Sequence, residues 1–236
     1  ETGSCAHMKQ QVSFTGIQGD SARITCQVSN AVSYWIHWYR FQDGKPPQRL
    51  LCLSRESGEL LFDEGFGSNK FHAFKDQFNG EKFILLIKKL EVRDSGMYYC
   101  AIWDWDGLVK VFGEGTRLIV TESAFKKKPP KPIFFLPTSE EIKQKQSGTY
   151  ICLLEDFFPN VVKTYWKEDG NSQPLDAQFG PITGGGNSYS QVSWLTVKED
   201  VLRKNLTYFY QHEDLGMEPK AFSISSVREK GSLVPR

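Results

Sequence analysis

The sequence has no apolar run long enough to cross a bilayer. Its longest, KFILLIKKL at 82–90, falls well short of the ~20 residues a membrane helix needs. It has no excess of either charge: 29 Lys and Arg against 28 Asp and Glu leave +1, which argues against the basic surplus of a nucleic-acid binder. No basic-then-apolar leader of the secretory type is visible. Cysteine is sparse and odd in number, at 5, 26, 52, 100 and 152. None forms a CxxC pair, so a structural zinc site is not expected. The four histidines, His7, His37, His72 and His212, lack helical metal-binding spacing. There is no GxSxG elbow and no HExxH, and the GGG at 184–186 lacks the Lys-Ser/Thr of a phosphate loop. Neither a metal, nor a cofactor, nor catalysis is expected. His37, between Ile36 and Trp38, reads as a packed or hydrogen-bonded strand residue.

What is present is strand. SARITCQVS (21–29) alternates, with Ala22, Ile24, Cys26 and Val28 on one face. WIHWYRF (35–41), QRLLCLS (48–54), KFILLI (82–87, with Phe83, Leu85 and Ile87 inward and Leu90 continuing the packing), MYYCAIW and TRLIVTE follow between turn signals. EVRDSG reads as a short helical turn, and no long amphipathic helix is seen. At 123–132, SAFKKKPPKP, three prolines in four positions cannot sustain a helix or a central strand, so an extended connector is expected. Beyond it the plan repeats, with SGTYICLLEDFFPNVVKTYWKEDG (147–170), SQVSWLTV (190–197) and LTYFYQHED (206–214). Many short strands in two similar units predict an all-β protein of two tandem sandwiches. The expected boundaries are 4–122 and 133–227, with 123–132 as the linker. ETG at 1–3 reads as a vector scar, and 228–236 as a residual connecting segment ending in a cut protease tag, GSLVPR. A leader and a membrane anchor are expected outside this stretch.

Cys26 and Cys100 have a telling spacing, with Trp38 twelve residues after the first. A disulfide there would close a long loop and contribute about 4 kcal/mol, and would require an oxidising compartment. The sequon Asn205-Leu206-Thr207, with Asn205 as the glycosylation candidate, fits secretion. Cys26, Trp38, Tyr98 and Cys100, preceded by Asp94-Ser95-Gly96, resemble the core of an immunoglobulin sandwich. That resemblance implies a Cys26–Cys100 cross-link with Trp38 packed on it. It also implies a Tyr98 hydroxyl tied to backbone and an Asp94 paired with a cation, for which Lys70 is the candidate.

IHWYRFQDGKPPQRL (36–50), RDSGMYYCAIWD (93–104) and FGEGTRLIVTE (112–122) resemble the variable and joining segments of a T-cell receptor gamma chain. PKPIFFLPTSEEIKQKQSGTYICLLEDFFPNVVKTYW (130–166) and SWLTV (193–197) resemble its constant domain. The two sandwiches are then a V-type domain and a C-type domain. An immunoglobulin light chain shares this layout, but EDFFPNVVKTYW and RLIVTES favour the gamma type. The joining signature argues against an adhesion ectodomain.

The resemblance implies several sites. Gln42, Pro47 and Phe112 match positions that pack on a partner variable domain; a second reading makes Phe112 simply core. Gly113 and Gly115 permit a bulge in the last strand. Three loops would cluster at one end and contact antigen: 30–35 with Tyr34 and Trp35, 54–59 with Arg55 and Glu56, and 102–110 with Trp103, Asp104, Trp105 and Asp106. Trp105 is expected exposed; Trp103 is open between exposure and packing on its own loop or the partner chain. The constant-domain pattern breaks once, because Tyr208 stands where family members carry the second cysteine. Cys152 is therefore expected as a buried free thiol, with Tyr208 filling the core beside Trp166. Cys52 reads as a small buried hydrophobe, and Cys5 stays open. The implied partners are a second receptor chain of delta or mu type, CD3-type signalling subunits, and a protein, lipid-presenting or other antigen. The implied location is the outer face of the plasma membrane.

Overall fold

A computed structural model describes residues 6–227. The scar at 1–3, Cys5 and the segment 228–236 lie outside the described residues. The chain divides into two compact units between Ala124 and Phe125.

Among the described residues the first unit holds eleven strands: β1 His7–Gln10, β2 Ser13–Ile17, β3 Ala22–Ser29, β4 Trp35–Phe41, β5 Gln48–Ser54, β6 Leu60–Phe62, β7 Phe71–Lys75, β8 Lys82–Ile87, β9 Gly96–Trp103, β10 Lys110–Phe112 and β11 Thr116–Thr121. One sheet runs β1-β3-β8-β7, and the other runs β2-β11-β9-β4-β5-β6 with β10 also on β9. Alternation buries one side of each strand. Ala22, Ile24, Cys26 and Val28 of β3 line one face of their sheet beside Phe83, Leu85 and Ile87 of β8, all at 1 % exposure or less. Cys26 and Cys100 are joined across the sheets, with Cα atoms 6.3 Å apart, and Trp38 is fully buried beside them.

The corner before β9 is built as the sequence pattern implies. The Tyr98 hydroxyl donates to the Asp94 carbonyl at 2.6 Å, and the Asp94 carboxylate takes Lys70 Nζ at 2.5 Å and the Glu91 amide at 2.8 Å. Between the Phe112–Ala101 and Thr116–Tyr98 pairs one strand has an extra residue, so β10 and β11 are two halves of one bulged strand. Gln10 holds the bulge: its Oε1 accepts from Cys100 N and Gly115 N, and its Nε2 donates to the Tyr98 carbonyl. Gly113 has to be glycine there, since a Cβ would sit 2.3 Å from that same Oε1.

The second unit has β12 Lys131–Phe135, β13 Ser147–Phe157, β14 Lys163–Glu168, β15 Gln178–Phe179, β16 Thr183–Gly185, β17 Ser188–Lys198, β18 Leu206–Gln211 and β19 Lys220–Ile224, with short helices α1 Ser139–Lys145 and α2 Glu199–Leu202. Its sheets are β12-β13-β17-β15, with β16 on β17, and β14-β18-β19. The connector expected over 123–132 is shorter than its proline content suggests. Lys128 pairs with Phe158 through two backbone hydrogen bonds, and β12 begins at Lys131 as an edge strand, where Pro132 is tolerated.

In the core of this unit Trp166 packs edge-on against Tyr208 at 4.8 Å, and Phe134 against Tyr208 at 5.3 Å. Cys152 is fully buried and free, and burial pushes its thiol up to about 11. The Tyr208 hydroxyl lies near Cys152, Thr164 and Ser193. Neither it nor the Thr164 and Ser193 hydroxyls make a hydrogen bond of good geometry among the described residues.

Candidate pairing face and recognition tips

With Ile36 and Trp38 of β4 and Tyr98, Cys100 and Ile102 of β9 buried in the core, the alternate residues point outward. They form an aromatic face. Tyr39 lies 5.3 Å from Phe112, Phe41 4.8 Å from Tyr99, and Tyr99 6.4 Å from Phe112. Phe112 is 43 % exposed, so the reading of it as simple core does not hold. Pro47 is exposed in the turn before β5. Gln42 is used within the unit: its Nε2 donates to the Arg93 and Ser95 carbonyls at 2.7 and 3.0 Å. The apolar member of that strand end is Phe41, one residue earlier. Tyr39, Phe41 and Tyr99 were not singled out from sequence, although alternation from buried Trp38 would have found the first two.

Toward the tips this face becomes polar. His37 is buried, paired with Ala101 and Cys52 on the neighbouring strands. Burial, with Lys110 and Arg49 adding to it, lowers its pKa to about 4, so the imidazole is neutral at pH 7. Arg49 grips Asp63 by Nε and Nη2 at 2.8–3.1 Å. Cys52 is buried as expected, and burial raises its thiol pKa.

The three tips differ in how they present themselves. In the first, Tyr34 and Val32 are 67 % and 71 % exposed, whereas Trp35 opens β4 and is half-buried. In the second, Arg55 acts as a brace, its Nη1 donating to the Ala31 and Ser33 carbonyls at 3.0 and 2.9 Å; Glu56 is exposed. In the third, Trp103 ends β9, 41 % exposed, with the Lys110 ammonium 4.9 Å above its ring. Trp105, Leu108 and Val109 are exposed at 79 %, 80 % and 56 %. The two aspartates shape the turn: Asp104 Oδ1 accepts from Trp105 N and Asp106 Oδ1 from Leu108 N, both at 2.9 Å. Leu108 and Val109 were missed because a short apolar pair in a loop has no periodicity to reveal it.

The second unit carries its own apolar face. Register sets Ile133 against Leu153, Phe135 against Ile151, and Ile151 against Trp194 on the side of the sheet opposite Cys152 and Leu154. Ile133, Phe135 and Phe179 are 41–52 % exposed. Asn205 is exposed, its Oδ1 accepting from the Ser226 amide at 2.8 Å.

Two facing sheets, a buried inter-sheet disulfide and a tyrosine-anchored corner define an immunoglobulin variable-type unit, here followed by a constant-type one. The immunoglobulin V-set domain family matches residues 9–121, and the immunoglobulin C1-set domain family matches residues 133–209. A solved structure described as a marsupial T cell receptor is 99 % identical, covering 94 % of this chain and 100 % of that one, with a TM-score of 0.91. Human T cell receptor gamma variable 8 is 40 % identical over 92 residues, 39 % of this chain and 76 % of the relative. Human T cell receptor gamma constant 1 is 42 % identical over 85 residues, 36 % of this chain and 49 % of the relative. The chain spans about half the length of the curated constant regions it matches. The chain belongs to the T-cell receptor family. Its members are receptors without enzymatic activity. Among the described residues no helix is long and apolar enough to cross a membrane.

Proposed function

We propose that the chain is the gamma-type subunit of a heterodimeric T-cell receptor on the plasma membrane, paired side by side with a delta-type or mu-type chain. The observation that carries this is the continuous aromatic face of Tyr39, Phe41, Tyr99 and Phe112 beside exposed recognition tips. A patch of large apolar side chains on the sheet of a V-type unit is what a second such unit covers. The apolar face around Ile133, Phe135 and Leu153 offers the constant-type unit an equivalent contact. Pro47, exposed in the turn before β5, would contribute to the rim of that contact.

Ligand contact falls to Trp105, Leu108, Val109 and Tyr34, with Trp103 shared between loop and partner. Rigid aromatic side chains give large contact area at low entropic cost, and Glu56 and the second carboxylate oxygens of Asp104 and Asp106 stay free to accept hydrogen bonds. Binding of a protein, lipid-presenting or other antigen would be relayed by CD3-type subunits, and Asn205 would carry a glycan. Co-expression with delta-type and mu-type ectodomains, followed by size-exclusion chromatography, tests the pairing. Phe112→Asp should abolish the heterodimer and leave the monomer folded. An unchanged heterodimer would refute the assignment of the face.

A further inference from the structure

The polar end of the aromatic face has more donors than acceptors. Three groups converge on Nδ1 of His37: Cys52 Sγ at 3.2 Å, and Arg49 Nη1 and Lys110 Nζ both at 3.3 Å. A neutral imidazole nitrogen offers one lone pair, so it can satisfy one of the three. Arg49 has its carboxylate in Asp63, held on the Nε and Nη2 side, which leaves Nη1 toward His37. Lys110 has none: among the described residues no carboxylate lies within ion-pair distance of its ammonium. That ammonium donates to the Tyr39 hydroxyl and rests over the rings of Tyr39 and Trp103 at 4.7 and 4.9 Å. The cluster therefore holds two cations and one carboxylate.

In water the surplus is harmless, because solvent meets it. Its position makes it consequential. Lys110 sits on Tyr39, and Tyr39 is in contact with Phe112, so whatever covers the aromatic face also covers the ammonium. An uncompensated buried charge is strongly unfavourable, and a pairing surface that left it unmet would oppose its own apolar contact.

We propose that the cavity of about 330 Å³ lined by Trp35, His37, Arg49, Cys52, Asp63 and Trp103 receives an aspartate or glutamate side chain of the partner's variable-type domain. Its carboxylate pairs with Lys110, whose ammonium borders the lining residues His37 and Trp103. It also accepts from Arg49 Nη1 the hydrogen bond that His37 cannot, while Asp63 stays engaged on the Nε and Nη2 side of Arg49. The apolar walls, Trp35 and Trp103, accommodate the methylenes of that side chain. This inference rests on the reading of the aromatic face as the pairing face, and it adds a charge requirement that selects among partner chains.

The test measures association of this chain with delta-type and mu-type ectodomains, comparing Phe112→Asp, Lys110→Met and Lys110→Glu. Lys110→Met should weaken pairing roughly thirtyfold or more by leaving the incoming carboxylate with only the Nη1 group of an Arg49 whose charge Asp63 already meets, and Lys110→Glu should weaken it further. Replacing the partner's acidic residues one at a time by lysine should restore pairing with Lys110→Glu at one position. Changing that partner residue to its amide should weaken pairing with the unmodified chain, a readout that does not depend on how the Lys110 variants fold. If Phe112→Asp abolishes pairing while both Lys110 variants bind within about twofold of the unmodified chain, the carboxylate contact is overturned and the pairing face stands. If Phe112→Asp has no effect, the face itself is wrong and this inference falls with it.

Discussion

Restoring the missing cysteine in the second unit puts its core to a quantitative test. Tyr208→Cys would return a cysteine to the position where the resemblance expects the partner of Cys152, and both residues lie in one buried core. A bond between positions 152 and 208 would close a loop of 56 residues' separation and add about 4 kcal/mol on the chain-entropy estimate. Against it stands the loss of a fully buried ring packed on Trp166 and Phe134, which costs about 3–5 kcal/mol. The two terms nearly cancel, so the oxidised variant should be about as stable as the unmodified chain. Tyr208→Ala makes a comparable cavity without the bond, and should fall about 4 kcal/mol below it. Denaturant unfolding of the second unit, followed by near-ultraviolet circular dichroism, reads both. Mass measurement after alkylating denatured, unreduced protein counts the thiols. If the new thiol and Cys152 both remain alkylatable, or if the cysteine and alanine variants are equally unstable, positions 152 and 208 are not within disulfide reach across this core.

Tyr208→Phe keeps the ring and deletes a buried hydroxyl that lacks a well-formed bond, so it should stabilise the second unit by about 1 kcal/mol; a loss of that size would mean the hydroxyl is well satisfied. Lys70→Met strands the 5 %-exposed Asp94 carboxylate and should destabilise the first unit by about 3 kcal/mol, seen as a lower calorimetric midpoint for one of two transitions. His37 titrates near 4 in the folded chain against 6.5 when unfolded, so between these values the unfolded state binds more protons. Stability of the first unit is thus complete above pH 6.5 and declines as pH falls toward 4, by up to about 3 kcal/mol. Replacing His37 with Gln should flatten that dependence in melts across pH 4–7, and an unchanged slope would place the proton elsewhere. Trp105→Ala should leave stability within about 0.5 kcal/mol, as expected for an exposed side chain, while reducing antigen-dependent activation of cells bearing the full receptor.

Much of the molecule is legible along the chain. β4 and β5 follow from short apolar and aromatic runs between turn signals, and the inward residues of β3 and β8 follow from period two. The cysteine at 26, tryptophan at 38 and tyrosine two residues before the cysteine at 100 point to the sandwich through their resemblance to the immunoglobulin core. What escaped was local structure without local pattern. β6, β10, β15 and β16 are two or three residues long, too short to show a period. β2 lies parallel to β11, a pairing across about 100 residues that no neighbouring sequence announces. The motif points to Gln42, but alternation along β4 sets Phe41 on the aromatic face, and the Gln42 amide donates to the Arg93 and Ser95 carbonyls.

The sequence by itself determined the two-sandwich architecture, since strand periodicity and turn spacing make it readable, and its resemblance to the T-cell receptor gamma chain implied the cross-link and the free thiol at Cys152. Only the tertiary structure decided how the surface works. Lys110 meets His37 across 73 positions, Arg55 holds a loop more than twenty residues before it, and three donors crowd one lone pair because three strands converge there. Side chains that act together at a sheet surface come from strands adjacent in space and distant in sequence, so their chemistry exists only once the register is set.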